Sequence, residues 1–166
     1  MSTPAKYFIK WIHFFIFICE GISYQLLSRN KPTQQSSDYE NLYSYLAVDG
    51  NLDNIIWVGT VLNPICAHTN PYALDSWWVV DLLDEYAISH IHFYNRQDCC
   101  SERVLRSSIS LLNSRNETTY ICIIFTEVQF IYNISCEMKI GRYVKVSAFN
   151  SSIIQICELE CYGGNL

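Results

Sequence analysis

The chain has 166 residues, 50% of them hydrophobic and 16% charged, with a formal net charge of −5 at pH 7. This length and apolar content suffice for one domain with a proper core and are too small for two ordinary domains. The acidic balance argues against nucleic acid or an anionic membrane as the main partner, because both are negatively charged.

The first 23 residues have the order of a secretory signal peptide. Two lysines precede an apolar stretch at residues 11–19, and small residues follow it. The stretch is shorter than the roughly 20 residues that a membrane-spanning helix needs, and His13 interrupts it. We predict a signal peptide at 1–23 and a secreted, extracellular domain at 24–166, with no membrane insertion. A retained N-terminal anchor is the less favoured alternative.

The domain after residue 23 begins with a loop-rich part, 24–76, which contains turn-forming proline and glycine. Short segments rich in β-branched and aromatic residues follow. We predict seven strands, at 77–82, 88–95, 107–112, 120–125, 129–135, 142–149 and 152–162. Val144 and Val146 alternate with Tyr143 and Lys145, as in a strand with one buried face. Together these segments favour an all-β, antiparallel sandwich.

Three acceptor patterns for N-glycosylation support secretion. They begin at Asn116, Asn133 and Asn150, and none has proline in its middle position. We therefore expect a glycoprotein. Loss of residues 1–23 removes two lysines and one glutamate, so the mature net charge becomes about −6.

The chain has eight cysteines, which an oxidising compartment would tend to bridge. Cys19 leaves with the signal peptide, and the odd number that remains implies a free thiol or a bridge between chains. The residues alone leave the connectivity open. Zinc is not expected, because no CxxC pair is present and the four histidines are scattered.

Catalytic motifs are missing from the sequence: it has no GxSxG, no HExxH and no glycine-rich phosphate loop. His68 and a cysteine would make a thiol-protease pair only if that cysteine were unbridged. We predict that the protein is not an enzyme.

The segment NRQDCCSER at 95–103 places two adjacent cysteines among charged residues. Arg96 and Arg103 carry planar arrays of donors, and Asp98 between them can hold both guanidinium groups through paired hydrogen bonds. Such a set suits a neutral ligand rich in acceptor oxygens. Adjacent cysteines usually bond to distant partners, but a bond between them would add an apolar sulfur face. A solvated cluster of surface ion pairs is the alternative interpretation.

Seven segments carry a resemblance to a known family, in the family's order: NKPTQQSS (30–37), LAVDGN (46–51), CAHT (66–69), WWVVDL (77–82), NRQDCCSER (95–103), GRYVKV (141–146) and IQICELECYG (154–163). The sequence resembles the F-type lectins, or fucolectins, a family of carbohydrate-binding domains. The resemblance implies an antiparallel jelly-roll β-sandwich of the discoidin-like class.

The signature of that family is a histidine followed, after a spacer, by Arg-x-Asp, four residues and a basic residue. His68, Arg96, Asp98 and Arg103 match it, with a spacer of 27 residues that is one longer than usual. The resemblance implies that His68, Arg96 and Arg103 hydrogen-bond an α-L-fucose of fucosylated glycans. It also implies that Asp98 orients the arginines.

The resemblance implies a set of disulfides as well: Cys66–Cys157, Cys99–Cys100 and Cys122–Cys136. The Cys99–Cys100 bridge would pack against the sugar ring. Cys161 is then left over, and it would link two protomers, pair with Cys19 or stay a buried thiol.

A structural calcium ion is a further implication. The resemblance assigns it side-chain oxygens from Asp49, Asn51 and Glu158, and backbone carbonyls near Leu46, Ile65 and Cys157. Family members often have a hydroxyl residue at the position of Ile65, so one side-chain ligand is missing here. Residues 49–51 alone are otherwise typical of an ordinary turn.

Three expectations concern the surroundings of the site. Trp77 and Trp78 are expected to pack in the core. The loop 54–65 is expected to cover the sugar, where Trp57 would contact the fucose methyl or pack in the core. Because a single shallow sugar site binds weakly, we expect a homo-oligomer.

A discoidin-like adhesion module that binds protein or phospholipid is the competing hypothesis, since fold does not determine function. Such modules use exposed apolar loop tips, and residues 55–58 would serve as one. They would not need the His68, Arg96, Asp98 and Arg103 set.

Overall fold

Two strands of 18 residues each, β6 (Trp77–Tyr94) and β9 (Ile131–Ala148), form the centre of the fold. The computed structural model describes residues 24–58, 60–149 and 153–166; the predicted signal peptide, Cys19 and Asn150 lie outside them. The other strands of the described chain are β1 (Gln25–Leu26), β2 (Thr33–Gln35), β3 (Trp57–Val58), β4 (Val61–Leu62), β5 (Ala67–His68), β7 (Ser107–Leu112), β8 (Thr118–Ile124), β10 (Gln155–Ile156) and β11 (Glu158–Gly164). Two 3₁₀ helices, Ser44–Ala47 and Ser101–Arg106, lie in the connections. Within the described ranges, no helix has the length and hydropathy of a membrane span.

Each long strand replaces two predicted short strands. β6 contains the predicted segment 77–82 and most of 88–95, and β9 contains most of 129–135 and of 142–149. The pairing of β6 with β9 shifts register between Asp81 and Tyr86, and again between Ile88 and His90. Such bulges bend a strand without ending it. The irregular sequence between the paired segments therefore marks a bend and not a reversal of the chain.

The bends divide the sheet into two halves that share β6 and β9. The strand order is β1-β11-β6-β9-β7-β8, with β2 added on β6, and the described strand pairs are antiparallel. The β2 half comprises β2, β7, β8 and the parts of β6 and β9 around Val80 and Val144. The β11 half comprises β1, β11 and the parts around Ile91 and Ile134.

The buried faces of both halves meet in one hydrophobic cluster. Trp78 and Val146 of the β2 half belong to it, together with Ile91 and Leu159 of the β11 half. Burial of this apolar surface is the main favourable contribution to folding. The arrangement confirms the predicted all-β, antiparallel sandwich.

A second, smaller group of buried residues packs the loop-rich first part of the domain onto the start of β11. We call this group the loop cluster, and it consists of Leu42, Leu46, Ile56, Ile65, Cys66 and Cys157. The Cys66–Cys157 disulfide lies inside it. The loop cluster thereby holds β5 against β10, where the candidate site lies.

The described cysteines form three bridges, the same pairs that the family resemblance implied. Cys161 is the one described cysteine without a bridge, and it lies fully buried in the main cluster. Burial raises the pKa of its thiol well above the ordinary value. Its sulfur is therefore inaccessible to a second chain, so the intermolecular bridge considered from the sequence does not fit this fold.

The two adjacent tryptophans of β6 occupy different environments. Trp78 is 0% exposed, and its indole N–H donates a 2.9 Å hydrogen bond to the Ser44 carbonyl. Trp77 lies half-buried on the outer face of the β2 half, with the Lys145 ammonium 5.6 Å from its ring centre. The prediction of core packing was wrong for Trp77, because consecutive residues of a strand point to opposite faces of a sheet.

Candidate functional site

Side chains from three separate parts of the chain meet beside the short β5–β10 pair. β5 contributes His68, the segment after β6 contributes Arg96 and Asp98, and the second 3₁₀ helix contributes Arg103. The antiparallel register places Gln155 of β10 opposite His68. The structure therefore brings together the four residues of the sequence signature, although 35 positions separate the histidine from the last arginine.

His68 is only 4% exposed, and its ring is held in one tautomer. Its Nδ1–H donates a 2.7 Å hydrogen bond to the Thr69 carbonyl, which leaves Nε2 as an acceptor. Burial lowers the pKa of His68 to about 4, and the positive charges of Arg103 and Arg96 add to this effect. At neutral pH the site therefore contains an uncharged imidazole whose Nε2 can accept a hydrogen bond.

Arg96 and Asp98 form a two-pronged pair within this site. The Arg96 guanidinium donates from Nε to Oδ1 at 2.8 Å and from Nη2 to Oδ2 at 2.6 Å, and the Arg96 side chain is 4% exposed. Burial alone would raise the pKa of Asp98, but the hydrogen bonds from Arg96 and from two backbone N–H groups hold it below its ordinary value. The pair fixes the plane of one guanidinium before any ligand arrives.

The two backbone N–H groups on Asp98 belong to Ile56 and Trp57, at 3.0 Å and 3.3 Å. Asp98 therefore also anchors the loop that the resemblance places over the sugar. Ile56 is buried in the loop cluster, whereas Trp57 is exposed. Of the two roles considered for Trp57, the core role does not fit this position.

Arg103 has different partners from those expected. Its Nη1 lies 3.5 Å from Nε2 of His68 and 3.4 Å from Oε1 of Gln155, whereas Asp98 pairs with Arg96. The prediction that Asp98 holds both guanidinium groups was therefore wrong for Arg103. Each arginine has its own oxygen acceptor because the 3₁₀ helix carries Arg103 away from the carboxylate and towards β10.

Gln155 is a site residue that the sequence reasoning missed. Its Nε2 donates a 2.7 Å hydrogen bond to the Cys100 carbonyl, while its Oε1 accepts from Arg103. It thus links β10 to both the adjacent-cysteine turn and the second arginine. The only sequence signal for Gln155 was its place in the apolar segment IQICELECYG, because an amide buried in an apolar strand needs hydrogen-bond partners.

The adjacent cysteines Cys99 and Cys100 form a disulfide at the entrance to the second 3₁₀ helix. Cys100 has φ +60°, a conformation that turns the chain sharply. Its carbonyl accepts hydrogen bonds from the Gln155 side chain and from the Arg103 backbone. Cys99 and Cys100 are both half-buried, and they lie in the same short segment, 95–103, as the two arginines.

Asn95 is the second residue that the sequence reasoning missed. It is fully buried at the end of β6, where its Nδ2 donates to the carbonyls of Ser101 and Gln129 at 3.0 Å and 3.1 Å. Its Oδ1 accepts from the Arg96 backbone N–H at 2.9 Å. One amide thus satisfies three backbone groups and fixes where the segment with Arg96 leaves the strand.

Glu158 and the turn around Gly50 form the predicted metal region. Glu158 is 1% exposed, and both of its carboxylate oxygens lie 3.2 Å from the Gly50 backbone N–H. Burial raises the pKa of Glu158 to about 8. Asp49 and Asn51 each accept one hydrogen bond within the turn. Gly50 has φ +89°, which favours glycine there.

The other three predicted metal ligands, Leu46, Ile65 and Cys157, all belong to the loop cluster. Within the described ranges, no group of three or more His, Cys, Asp or Glu side chains could hold a metal ion. A cation here would therefore depend on amide and carbonyl oxygens in addition to the two carboxylates.

A family model for the F5/F8 type C group, described as a NedA-like, galactose-binding domain, matches residues 46–146. Fucolectin-6 of Anguilla japonica is 36% identical over 118 residues, which are 69% of this chain and 60% of the relative. Fucolectin of Anguilla anguilla is 33% identical over 121 residues, 69% of this chain and 72% of the relative. This chain spans 60% and 64% of the length of the first two relatives of Anguilla japonica.

Solved structures show the same fold. A fucolectin from Morone saxatilis serum matches with a TM-score of 0.74 and 26% identity, over 86% of this chain and 48% of that one. A fucose binding module of Streptococcus pneumoniae, SpX-3, also has a TM-score of 0.74 and 26% identity, over 83% of this chain and 97% of the module.

Proposed function

The chain belongs to the fucolectin family, and from this premise we propose that it is a secreted, calcium-containing lectin that binds α-L-fucose on glycans without catalysis. The observation that carries the proposal is the meeting of one neutral acceptor with two fixed cationic donors, His68 with Arg96 and Arg103. The names of the relatives, fucolectins and fucose binding modules, support fucose as the ligand.

The chemistry of fucose matches this set. Each sugar hydroxyl is both a donor and an acceptor, so one hydroxyl can donate to Nε2 of His68 while its oxygen accepts from an arginine. Fucose carries no charge, so the net positive charge of two arginines beside one Asp98 favours donation to sugar oxygens. An ammonium ligand would be repelled.

The site is arranged before the ligand binds. Asp98 holds Arg96, and Gln155 holds Arg103, so little side-chain freedom is lost on binding. In this proposal the Cys99–Cys100 sulfur surface would contact the less polar side of the sugar ring, and Trp57, on the loop anchored by Asp98, would contact the methyl group.

Calcium fits the buried carboxylate of Glu158. A carboxylate that is 1% exposed, with a backbone N–H for its partner, is costly to ionise, and a divalent cation would stabilise the ionised form. Asp49, Asn51 and Glu158 would hold the ion with backbone carbonyls near Leu46, Ile65 and Cys157. Bound there, calcium would tie the Gly50 turn to the start of β11.

We also propose a homo-oligomer. A small polar ligand in a single shallow site seldom binds much more tightly than micromolar, about −8 kcal/mol. Linked sites raise the avidity for a glycan-covered surface without any new contact. A sizing column or sedimentation run tests this, and a monomer that still agglutinates fucosylated cells would contradict it.

Calorimetric titration of L-fucose into the secreted protein, with calcium present, tests the central proposal. We expect saturable heat that Arg96→Ala abolishes. The matched control is Arg142→Ala, which breaks another two-pronged Arg–Asp pair, with Asp81, outside the site. If a folded protein with intact disulfides gives no heat at millimolar fucose, the lectin proposal fails.

The adhesion-module alternative has one observation in its favour. The β3–β4 hairpin exposes Trp57, Val58 and Val61, and Ile55, two residues before the hairpin, is also exposed. An exposed apolar tip of this kind is typical of surfaces that contact membranes or proteins. Binding to phosphatidylserine vesicles that Val58→Asp and Val61→Asp remove, with no fucose binding, would support this candidate over the lectin.

A further inference from the structure

A concave surface lies on the outer face of the β2 half, and its lining includes none of the candidate fucose-binding residues. This groove has a volume of about 430 Å³, within the ~300–1,000 Å³ typical of small-ligand sites. Trp77 and Val79 of β6 lie beside Tyr143 and Lys145 of β9 along it, and Gln34 of β2 lines one side.

The lining of the groove combines aromatic faces with hydrogen-bonding groups. Trp77 is half-buried, and Tyr143 packs under the Arg142 guanidinium at 5.0 Å from its ring centre. Lys145 and Gln34 supply donors, and the amide of Gln34 and the carboxylate of Asp81 supply acceptors. Aromatic faces flanked by such groups suit a saccharide, whose C–H faces are apolar and whose edges are polar.

Asn116 also lines this groove, and it begins the acceptor pattern Asn116-Glu-Thr. It is exposed in the tight turn between β7 and β8, where φ is +64°. Asn113 closes this turn through its backbone and side chain. Among the described residues, no hydrogen bond uses the Asn116 carboxamide, so Nδ2 is available for modification.

We propose that an N-linked glycan on Asn116 folds back into this groove and packs its first N-acetylglucosamine residues on Trp77 and Tyr143. The inference rests on the secretion that is part of the proposed function. In the attachment step, Nδ2 of Asn116 displaces the pyrophosphate of a lipid-linked oligosaccharide at its anomeric carbon. The lipid pyrophosphate leaves with the bonding electrons, and one amide proton is released.

The groove distinguishes Asn116 from Asn133, the other acceptor asparagine that the structure describes. Asn133 is exposed on β9 opposite His92 and is not among the groove residues. A glycan there projects from the sheet, whereas one on Asn116 covers apolar surface of Trp77 and Val79. The Asn116 glycan would thus shield the outer face of the β2 half, away from the fucose site.

The test compares enzymatic release of the two glycans from the native secreted protein by peptide-N-glycosidase, followed at each site by mass spectrometry. We expect release from Asn116 to be roughly tenfold slower than from Asn133, the change that ~1.4 kcal/mol of docking produces. Trp77→Ala should bring the two rates together, and denaturation should equalise them. The control Trp57→Ala, an exposed tryptophan outside the groove, should leave the difference intact.

A second measurement leaves the groove itself unaltered. Thr118→Ala removes the acceptor pattern at Asn116, so Trp77 should become more accessible to acrylamide quenching of tryptophan fluorescence. Equal release rates in the native protein, unchanged quenching in Thr118→Ala, or an unmodified Asn116 in secreted protein would each overturn the inference. If Asn133 is modified and Asn116 is not, this inference alone fails. If no protein reaches the culture medium, the proposed secretion fails, and fucose titration judges the sugar site separately.

Discussion

The Nη1 atom of Arg103 lies 3.5 Å from Nε2 of His68, and Nε2 can accept a hydrogen bond from the guanidinium only while the imidazole is uncharged. Burial and the two neighbouring arginines meet this condition, because they lower the pKa of His68 to about 4. The acceptor of the site is therefore available over the whole neutral and mildly acidic range.

We predict that fucose affinity is constant from pH 7 to pH 5 and falls as the pH drops through about 4, where His68 gains a proton and Nε2 stops accepting. The same shift affects stability. The folded pKa lies below the ordinary value, so this contribution is complete above about 6.5 and is lost as the pH falls towards 4. Calorimetric titration of fucose across this pH range checks the affinity, and circular dichroism over the same range checks that the protein stays folded. A midpoint near 6.5 would contradict the buried, neutral histidine.

Asp98→Asn should destabilise the protein by about 3 kcal/mol, because it leaves the buried Arg96 guanidinium without its counter-charge. It should also weaken fucose binding, since the same carboxylate anchors the loop at Ile56 and Trp57. Urea unfolding and calorimetry give the two quantities. Asp81→Asn is the control, because its pair with Arg142 is more exposed and should cost about 0.2–1 kcal/mol. Equal costs for the two variants would refute the assigned role.

Gln155→Ala should lower fucose affinity roughly tenfold. The substitution removes the hydrogen bond that the charged Arg103 donates to Oε1 of Gln155, and such a bond is worth about 1.5 kcal/mol. Gln155 is a positioning residue, so Gln155→Glu should restore part of the affinity by keeping an oxygen for Arg103. Gln129→Ala, at an exposed amide, serves as the control. No change in affinity for Gln155→Ala would remove Gln155 from the site.

The disulfides should separate stability from binding. The Cys66–Cys157 bridge spans 91 positions, and replacing both cysteines by serine should cost about 4.7 kcal/mol of unfolding free energy, the value for a loop of ~100 residues. The Cys99–Cys100 bridge joins neighbours and closes no long loop. Its double serine variant should unfold almost normally while binding fucose more weakly. Normal fucose affinity in that variant would contradict the sulfur contact.

Calcium should raise the free energy of unfolding by about 2.7 kcal/mol at a concentration one hundred times its Kd. Chelation should reverse the gain, and Glu158→Gln should remove the calcium dependence because Glu158 is the buried carboxylate of the set. The exposed Glu117→Gln is the control. Thermal unfolding with calcium and with a chelator provides the measurement, and an unchanged midpoint would exclude a structural calcium ion.

Patterns of local sequence predicted several elements well. The strand predicted at 107–112 has the observed bounds Ser107–Leu112, because its turn signals and alternation are local. The two halves of β6 were also located, but their junction was interpreted as a break. A bulge and a turn have similar sequences. What identifies the bulge is that β6 pairs with β9 on both sides of the register shift between Asp81 and Tyr86.

By itself, the sequence determined the all-β class, the family and the four signature residues of the site, because alternation and motif spacing are properties of the chain alone. The tertiary structure decided the hydrogen-bond partner of each arginine, Gln155 for Arg103 and Asp98 for Arg96. It placed Trp77 on the outer face of the sheet. It also decided the charge of His68, through burial and two nearby guanidinium groups. Contacts, burial and electric fields depend on residues that are distant in sequence, so only the folded chain specifies them.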